Sequence, residues 1–243
     1  MQSLSRLLNA LTIVRDAELR RIRNIIRATA QSTADNATGD AIYRDRLIRN
    51  PLALKLSFWE NHFEWKALLT YPEIHGNILD FGCGTGHSDV LLARAGLQVH
   101  GIDLSPLGIS IARNLRDQEP LAVQQLLSFA VSDVVSTAPP SKRYDAAWAS
   151  HVFEHIADPA PILKSLCLWL KPGAHILISV PLGYAYDDPG HVHHFQNGNE
   201  LAALLGSSIH ILKINVDHQH SVIRALCKCS LREEKTSGET PGS

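Results

Sequence analysis

The sequence predicts a doubly wound α/β fold, in which helices cover both faces of a mostly parallel seven-stranded sheet. From residue 77 onward, short apolar runs alternate with helix-forming segments, as they do when helices connect parallel strands. The first apolar run leads directly into a loop with glycines at alternate positions. Only a few residues separate the last two apolar runs, which permits an antiparallel pair but not a parallel crossover.

The expected strands and helices follow one another in a regular order along the chain. Five strands are predicted at 77–81, 98–103, 126–131, 144–149 and 175–180. Helices fit between them at 88–95, 106–118 and 159–170. The runs at 209–216 and 222–228 would then close the sheet as an antiparallel hairpin. We therefore assign residues 75–230 to this domain and predict a disordered tail at 231–243, where small and polar residues dominate.

Residues 1–74 form a helical extension ahead of this domain. Apolar residues recur at helical spacing over about residues 4–28, and the opposite face is basic. Residues 1–30 contain six arginines and two acids, a net charge of +4. We expect this helix to pack on the domain or on a second subunit, with contact to lipid or nucleic acid as the alternative. A second helical stretch, rich in aromatic residues, is predicted over about 51–70.

The bulk composition excludes several classes of protein. The net charge of −1 over 243 residues gives no general attraction to nucleic acid. No apolar run approaches the roughly 18 residues of a membrane helix, and the N-terminus lacks a secretory hydrophobic segment. The four cysteines (Cys83, Cys167, Cys227 and Cys229) show no disulfide framework, so we expect reduced thiols and a cytoplasmic location.

The glycine loop after the first strand has the properties of a binding site for a cationic ligand. Gly82, Gly84 and Gly86 stand where an open α/β sheet binds ligands, at the carboxyl end of the first strand. A dinucleotide fingerprint would place its third glycine at His87, and the lysine of a phosphate-binding loop is absent. Asp80, just before the loop, would repel a phosphate. A ligand that carries an amino acid moiety is therefore favoured over a pyrophosphate.

Two further aspartates follow the next strands. Asp103 ends the second strand, where an acidic side chain can accept both hydroxyls of a ribose. Asp133 comes after the third strand and could accept from the amino group of an adenine. Either residue alone could instead serve as a loop or helix cap, and this alternative stays open for Asp133 in particular.

The motifs at these positions resemble those of a known enzyme family. They are Asp-Phe-Gly-Cys-Gly-Thr-Gly at 80–86, Gly-Ile-Asp-Leu-Ser at 101–105, Tyr-Asp-Ala-Ala-Trp-Ala-Ser-His-Val-Phe-Glu-His-Ile at 144–156, and Leu-Lys-Pro-Gly-Ala-His-Ile-Leu-Ile-Ser-Val-Pro at 170–181. Over about residues 75–228, the chain is similar to the class I S-adenosylmethionine-dependent methyltransferases, which are Rossmann-like. Within them it is most similar to the bacterial group that includes the ubiquinone-biosynthesis O-methyltransferases.

The resemblance implies S-adenosylmethionine as cofactor and assigns residues to it. Asp80 and the backbone of Gly82, Cys83, Gly84 and Gly86 would hold the methionine part. The remaining cofactor contacts that it implies are Asp103 at the ribose, Leu104 against the adenine, Asp133 and Val134 at the adenine edge, and Ser150 beside the cofactor with His151. In such enzymes an N-terminal extension often covers the substrate, so residues 1–74 are expected to act as a lid, a dimer arm or a docking surface.

Two histidine-rich loops provide the candidate catalytic residues. His151 and His155 follow the fourth strand, and His191 and His194 follow the fifth, so both loops should open on one edge of the sheet. A histidine could act as general base, or these side chains could simply shape the site. A third alternative is a divalent metal held by His151, Glu154 and His155. Metal-using relatives have a glutamate where this chain has His151, which weakens that alternative.

The sequence therefore predicts a methyltransferase for a small-molecule acceptor, with in-line transfer to oxygen expected ahead of nitrogen or carbon. An RNA or protein methyltransferase is the alternative within enzymes, although the near-neutral charge disfavours RNA. A methyltransferase-like module that binds the cofactor without catalysis is the alternative from another class. A homodimer through the N-terminal helices would be consistent with the extension. Cys227 and Cys229 have metal-like spacing, but two positions apart on a strand they share one face, so a packed strand pair is expected.

Overall fold

The computed structural model describes residues 51–185, 188 and 190–229. The predicted basic helix over 4–28 and the predicted tail at 231–243 lie outside the described residues, as does the dimer contact expected for that helix. Within the described part, no helix has the length and apolar character needed to cross a membrane.

A seven-stranded sheet forms the centre of the molecule. Its strands are β1 (Asn77–Phe81), β2 (Gln98–Asp103), β3 (Leu127–Val131), β4 (Tyr144–Ser150), β5 (Leu170–Pro181), β6 (Ile209–Asp217) and β7 (Val222–Cys229). They lie in the order β3-β2-β1-β4-β5-β7-β6. The first five strands are parallel to one another, whereas β7 is antiparallel to both β5 and β6. The doubly wound sheet with a closing hairpin is therefore confirmed. Strand order reverses between β1 and β4, which is where such sheets bind ligands.

The helices connect the strands as a parallel sheet requires. In the described part they are α1 (Leu56–Trp59), α2 (Phe63–Leu68), α3 (His87–Arg94), α4 (Pro106–Arg116), α5 (Leu121–Gln124), α6 (Ala160–Trp169) and α7 (Gly198–Leu205). Helix α4 shows how the sequence sets such boundaries. The Ser105 hydroxyl accepts from Gly108 N at its start, Pro106 occupies its first turn, and Arg113 and Arg116 lie in its last turn.

The segment predicted as one helix over about 51–70 is broken, which corrects that expectation. It consists of a 3₁₀ turn, Pro51–Leu54, followed by α1 and α2. The backbone of His62 is extended between the two helices, and its ring accepts from Glu64 N. The indole of Trp65 donates to Trp59 O at 3.0 Å. The Trp65 indole and the His62 cap both stabilise the interruption between α1 and α2. The aromatic residues therefore pack this segment onto the domain as two short helices.

Two apolar clusters cover the two faces of the sheet. Alternate residues of one strand belong to different clusters, as Ile78 and Leu79 of β1 show. Helices α3 and α4 pack on the first face, together with the described part of the extension. Helices α6 and α7 pack on the second face. Both faces of the sheet are therefore buried, and the site must lie at its carboxyl edge.

The cysteine expectation is wrong for one pair. Cys167 of α6 and Cys229 at the end of β7 form a disulfide, with their Cα atoms 5.6 Å apart. Cys83 and Cys227 are free thiols. Cys227 and Cys229 contact the same apolar cluster, as expected for two residues on one strand face. Tertiary packing of α6 against β7 decides this pairing, because the two cysteines lie 62 residues apart in sequence.

Candidate functional site

The glycine loop is folded back over the end of β2. Gly82 N and Cys83 N both donate to the carbonyl of Ile102, at 2.8 and 3.0 Å. Gly86 has a φ of +69°, and a Cβ atom there would lie 2.6 Å from the Cβ of Ala112. A side chain at Gly86 would therefore strain the backbone and also displace α4. The loop lies at the carboxyl end of β1.

Asp103 holds this loop in place. Its Oδ2 accepts from Gly84 N at 2.9 Å and its Oδ1 accepts from Ser105 N at 2.8 Å. A carboxylate has about four lone-pair sites, more than these two hydrogen bonds occupy. The acidic residue that was expected to bind the ribose thus also fixes the loop that precedes it.

Asp80 lies in a cluster of acidic groups. It is only 4% exposed, and burial, together with Asp89 and then Asp103, raises its pKa well above the ordinary value. Asp89 in the first turn of α3 is fully buried, and burial raises its pKa to about 7. A cation would relieve the repulsion in this cluster, whereas a phosphate would add to it. The structure therefore keeps the expectation of a cationic ligand at Asp80.

The predicted adenine contacts differ in character. Leu104 is 61% exposed and is available to pack against a ring. Asp133 accepts from Val135 N at 2.9 Å, so it serves as a cap in this structure. The side chain of Val134 is buried in the apolar cluster with Leu79, which leaves only its backbone for the adenine edge. The expectation that Val134 borders the adenine edge stays a prediction.

His151 lies directly beyond the carboxyl end of β4. Its φ is +56°, an unusual value for a residue with a side chain. Strained backbone of this kind clusters at functional sites. Its Nδ1 lies 3.4 Å from Glu154 Oε1 and its Nε2 lies 4.0 Å from Glu64 Oε1. The imidazole is thus flanked by two carboxylates.

Glu64 belongs to a buried network that the sequence did not reveal. It is 3% exposed, and its Oε1 accepts from Arg224 Nη2 at 3.1 Å. The guanidinium also donates through Nη1 to Asp217 at 3.1 Å. The hydroxyl of Ser150 donates to Glu64 Oε2 at 3.4 Å. The only sequence signal for this role is that Glu64 is a lone acid between aromatic residues of α2.

The two histidine loops converge, as expected. His155 Nδ1 lies 2.9 Å from the carbonyl of Gly190, and a carbonyl only accepts, so Nδ1 carries the ring proton. Val192 N donates to Glu154 O at 2.9 Å. The rings of His155 and His191 lie 4.7 Å apart. These contacts hold the loop after β5 against the loop after β4.

Glu154 is the centre of this arrangement. It is fully buried, and no donor among the described residues bonds either of its carboxylate oxygens. One ligand atom each from Glu154, His155 and His191 lie within 4.8 Å of one another. The group that could hold a metal therefore contains His191 in place of the predicted His151. His194 stacks on Tyr184 at 4.4 Å and is not part of this group.

Comparison with known proteins identifies the family. A family model described as a methyltransferase domain matches residues 58–224, well over half of the chain. The chain belongs to this family. The recognition of a class I S-adenosylmethionine-dependent methyltransferase from its motifs is thereby confirmed, and so is S-adenosylmethionine as the cofactor.

The chain is similar to proteins whose names give different activities. It is 29% identical over 140 residues to a ubiquinone biosynthesis O-methyltransferase of Acinetobacter baylyi, which covers 52% of this chain and 58% of the relative. The glycopeptide N-methyltransferase MtfA in complex with S-adenosylhomocysteine has a TM-score of 0.57 at 16% identity, covering 68% of this chain and 88% of MtfA. The [4+2]-cyclase SpnF has a TM-score of 0.58 at 16% identity, covering 68% and 79%. The two structures share the fold alone.

The residues of this methyltransferase fit S-adenosylmethionine. The acidic group around Asp80 suits a cation, and Asp103 at the end of β2 is a carboxylate, the kind of acceptor that ribose hydroxyls need. At Gly82, a Cβ atom would collide with the side chain of Val152, so only glycine leaves the loop in this position. The loop backbone can then approach a ligand closely.

His87 joins the described part of the extension to the glycine loop of the methyltransferase. Its Nε2 lies 3.0 Å from Leu54 O and therefore carries the proton, while Nδ1 accepts from the hydroxyl of Thr85 at 2.9 Å. The ring stacks on Trp59, with centroids 5.6 Å apart. Burial lowers the pKa of His87 to about 4, against the smaller opposite effect of the Leu54 bond. The contact between His87 and Leu54 therefore involves a neutral imidazole.

This neutral contact predicts a loss of stability in mild acid. The folded pKa of His87 lies below its ordinary value of 6.5, so the unfolded state binds the proton first as the pH falls. The contribution of the neutral His87 to the free energy of unfolding is complete above pH 6.5. It decreases toward pH 4, by about 3 kcal/mol in total. Urea unfolding of the wild type and of His87→Gln across this range measures the difference. Parallel curves for the two proteins would show that His87 makes no such contribution.

Proposed function

We propose that this methyltransferase transfers a methyl group to a small-molecule acceptor, with oxygen as the expected acceptor atom. S-Adenosylmethionine supplies a methyl group on a sulfonium for attack by a nucleophile. The observation that carries the proposal is the position of His151, an imidazole between two carboxylates at the end of β4, next to Ser150. The topology places this residue at the same sheet edge as the glycine loop.

His151 is the residue best placed to take a proton from an acceptor hydroxyl. Imidazole is the side chain used most often as a general base. Glu154 lies on the Nδ1 side of the ring and Glu64 on the Nε2 side. Both carboxylates would favour the positively charged ring that forms when the proton arrives, because opposite charges stabilise each other in a buried site. Acceptor positioning by the surrounding residues would supply the rest of the rate enhancement.

The charges near His151 favour an acceptor without negative charge. Glu64 and Glu154 are buried, and the buried guanidinium of Arg224 is already bonded to Glu64 and Asp217. A carboxylate or phosphate on the acceptor close to His151 would therefore face repulsion. A phenol or an alcohol fits better, and the same argument disfavours an RNA acceptor. The name of the Acinetobacter baylyi relative supports a small-molecule oxygen acceptor. The homodimer and the cytoplasmic location remain expectations.

Binding and transfer assays test this proposal in sequence. Calorimetry with S-adenosylhomocysteine should show stoichiometric binding. Methyl transfer from radiolabelled S-adenosylmethionine should then occur to members of a panel of phenols and catechols. Parallel reactions contain amines, tRNA and a protein extract. Binding with no transfer to any of these acceptors would support a cofactor-binding module without catalysis, and transfer only to tRNA or protein would contradict the small-molecule acceptor.

Chelation distinguishes transfer with His151 as general base from transfer assisted by a bound metal ion. If His151 is the base, EDTA leaves methyl transfer unchanged, whereas His151→Asn reduces it by about 100-fold or more. A matched variant, His175→Asn, replaces a half-buried histidine on β5, which pairs with Lys228 of β7, and should retain activity. Loss of activity on chelation, restored by Zn²⁺ or Mn²⁺ and abolished in Glu154→Gln, would instead assign Glu154, His155 and His191 to a divalent cation.

A further inference from the structure

Asp89 is a buried acid that neither the glycine-loop motif nor the proposed transfer step explains. It lies in the first turn of α3 with no exposed surface. No N–H or O–H donor among the described residues bonds either of its carboxylate oxygens. A Cβ atom added at Gly101, which pairs with Asp80 across β1 and β2, would lie 2.8 Å from Asp89 Oδ2, so the Asp89 carboxyl group is a neighbour of the Asp80 carboxyl group, within hydrogen-bonding reach. Asp80 is itself 4% exposed. Two carboxyl groups can share a hydrogen bond only if one of them keeps a proton.

We propose that Asp89 shares a proton with Asp80 in the cofactor-free protein, and that the pair releases this proton when the cationic cofactor binds. Asp89 does not need to touch the cofactor, so it is a positioning residue for Asp80. The inference rests on the proposed placement of the methionine part of the cofactor at Asp80. It adds a residue and a proton to that site.

Within the described part of the chain, the groups that face the pair supply no compensating positive charge. The Cys83 thiol faces the pair from the loop, and burial together with Asp89 and Asp80 raises its pKa well above the ordinary value, so it stays neutral. Asp103, at the end of β2, adds a further carboxylate. His87 lies two residues before Asp89, and its pKa of about 4 keeps it uncharged at neutral pH. A proton therefore removes one of the two negative charges of the pair until a cationic ligand arrives.

The ligand replaces the proton in a balanced exchange. An ammonium or sulfonium beside Asp80 favours the ionised carboxylate, because an opposite charge lowers the affinity of a carboxyl group for its proton. The O–H bond of the pair breaks, and the proton leaves to solvent. Up to one proton is thus released for each cofactor bound. The affinity should consequently rise with pH wherever the free protein holds that proton.

The pH window is chosen so that the ligand does not titrate. Between about pH 5.5 and 7, the α-ammonium group of S-adenosylhomocysteine stays charged, since free α-amino groups lose their proton only above that range. Release of one proton corresponds to an affinity that rises up to about tenfold per pH unit. We expect the dissociation constant of the wild type to fall about fivefold or more across this window.

Calorimetry with S-adenosylhomocysteine in two buffers of different ionisation enthalpy counts the protons directly. At about pH 6.5, the wild type should release between about 0.5 and 1 proton. Asp89→Asn places an amide donor beside Asp80, so release should fall close to zero and the affinity should become nearly independent of pH. Asp117→Asn, a change at an exposed aspartate that pairs with Arg116, should behave like the wild type.

Each result bears on one claim. No binding of S-adenosylhomocysteine to the wild type would overturn the proposed function. Binding without proton release, at an affinity that is constant with pH, would overturn the Asp89 proposal alone. Release that persists in folded Asp89→Asn would also overturn it, because another group would then be the proton source. If Asp89→Asn does not fold, the proton count of the wild type still decides.

Discussion

Asp103→Asn is expected to weaken the binding of S-adenosylhomocysteine by about 100-fold, or nearly 3 kcal/mol. In the wild type, one carboxylate oxygen accepts from Gly84 N and the other accepts from Ser105 N. The amide nitrogen of asparagine cannot accept, so one of these backbone N–H groups loses its partner. Hydrogen bonds to charged groups contribute about 1.5–3 kcal/mol each. The change would also remove an acceptor for the ribose, and calorimetry measures both effects together.

Asp133→Asn is the matched control for this prediction. Asp133 accepts from Val135 N in a turn and holds no part of the glycine loop. We expect its substitution to change the affinity by less than about threefold, since asparagine caps about as well as aspartate and keeps an oxygen that can accept from Val135 N. Equal losses in the two variants would show that the adenine edge contributes as much as the loop anchor. Full affinity in Asp103→Asn would contradict the anchor and the ribose contact together.

Arg224→Met is expected to lower the free energy of unfolding by about 3–5 kcal/mol. The guanidinium is 4% exposed and bonds Glu64 and Asp217, so its removal leaves a buried carboxylate at Glu64 without its cation. The double variant Glu64→Gln/Arg224→Met removes both buried charges and should recover part of this loss. Denaturant unfolding of the single and double variants gives the coupling energy between the two residues.

Two comparisons make this prediction specific. Arg116→Met breaks an exposed ion pair with Asp117 and should cost less than about 1 kcal/mol. Methyl transfer should fall in the double variant even where folding recovers, because Ser150 and His151 lose the carboxylate of Glu64. Binding of S-adenosylhomocysteine should stay near the wild-type value. A double variant as active as the wild type would show that Glu64 stabilises the fold and does nothing for transfer.

The positions of the strands and of the glycine loop along the sequence could be predicted because their signals are local. Each strand of the sheet is a short apolar run, and seven predicted runs coincide with the observed strands to within a few residues. The start of β5 was the largest discrepancy. It begins at Leu170 and not at residue 175, because Leu170 pairs with Tyr144 across a register shift in β4. Such pairing depends on a neighbouring strand, which no local pattern contains.

The extension shows the opposite case. A helical stretch rich in aromatic residues was predicted over about 51–70, but there the structure has a 3₁₀ turn and two short helices. The interruption lies at His62, which caps the second helix with its own ring. Helical propensity was overridden by packing against the glycine loop, through contacts such as that between His87 and Leu54.

The sequence by itself determined the fold class and the cofactor, because motifs such as Asp80 with its glycine loop act within a few residues. Only the tertiary structure decided which distant residues come together near the carboxyl edge of the sheet. Glu64 and Arg224 are 160 residues apart in the chain, yet they form one buried ion pair. Asp89 has no motif of its own, and its contact with Asp80 exists only because α3 packs beneath the loop. Chain folding brings such pairs together, whereas the spacing of residues along the sequence carries no signal for them.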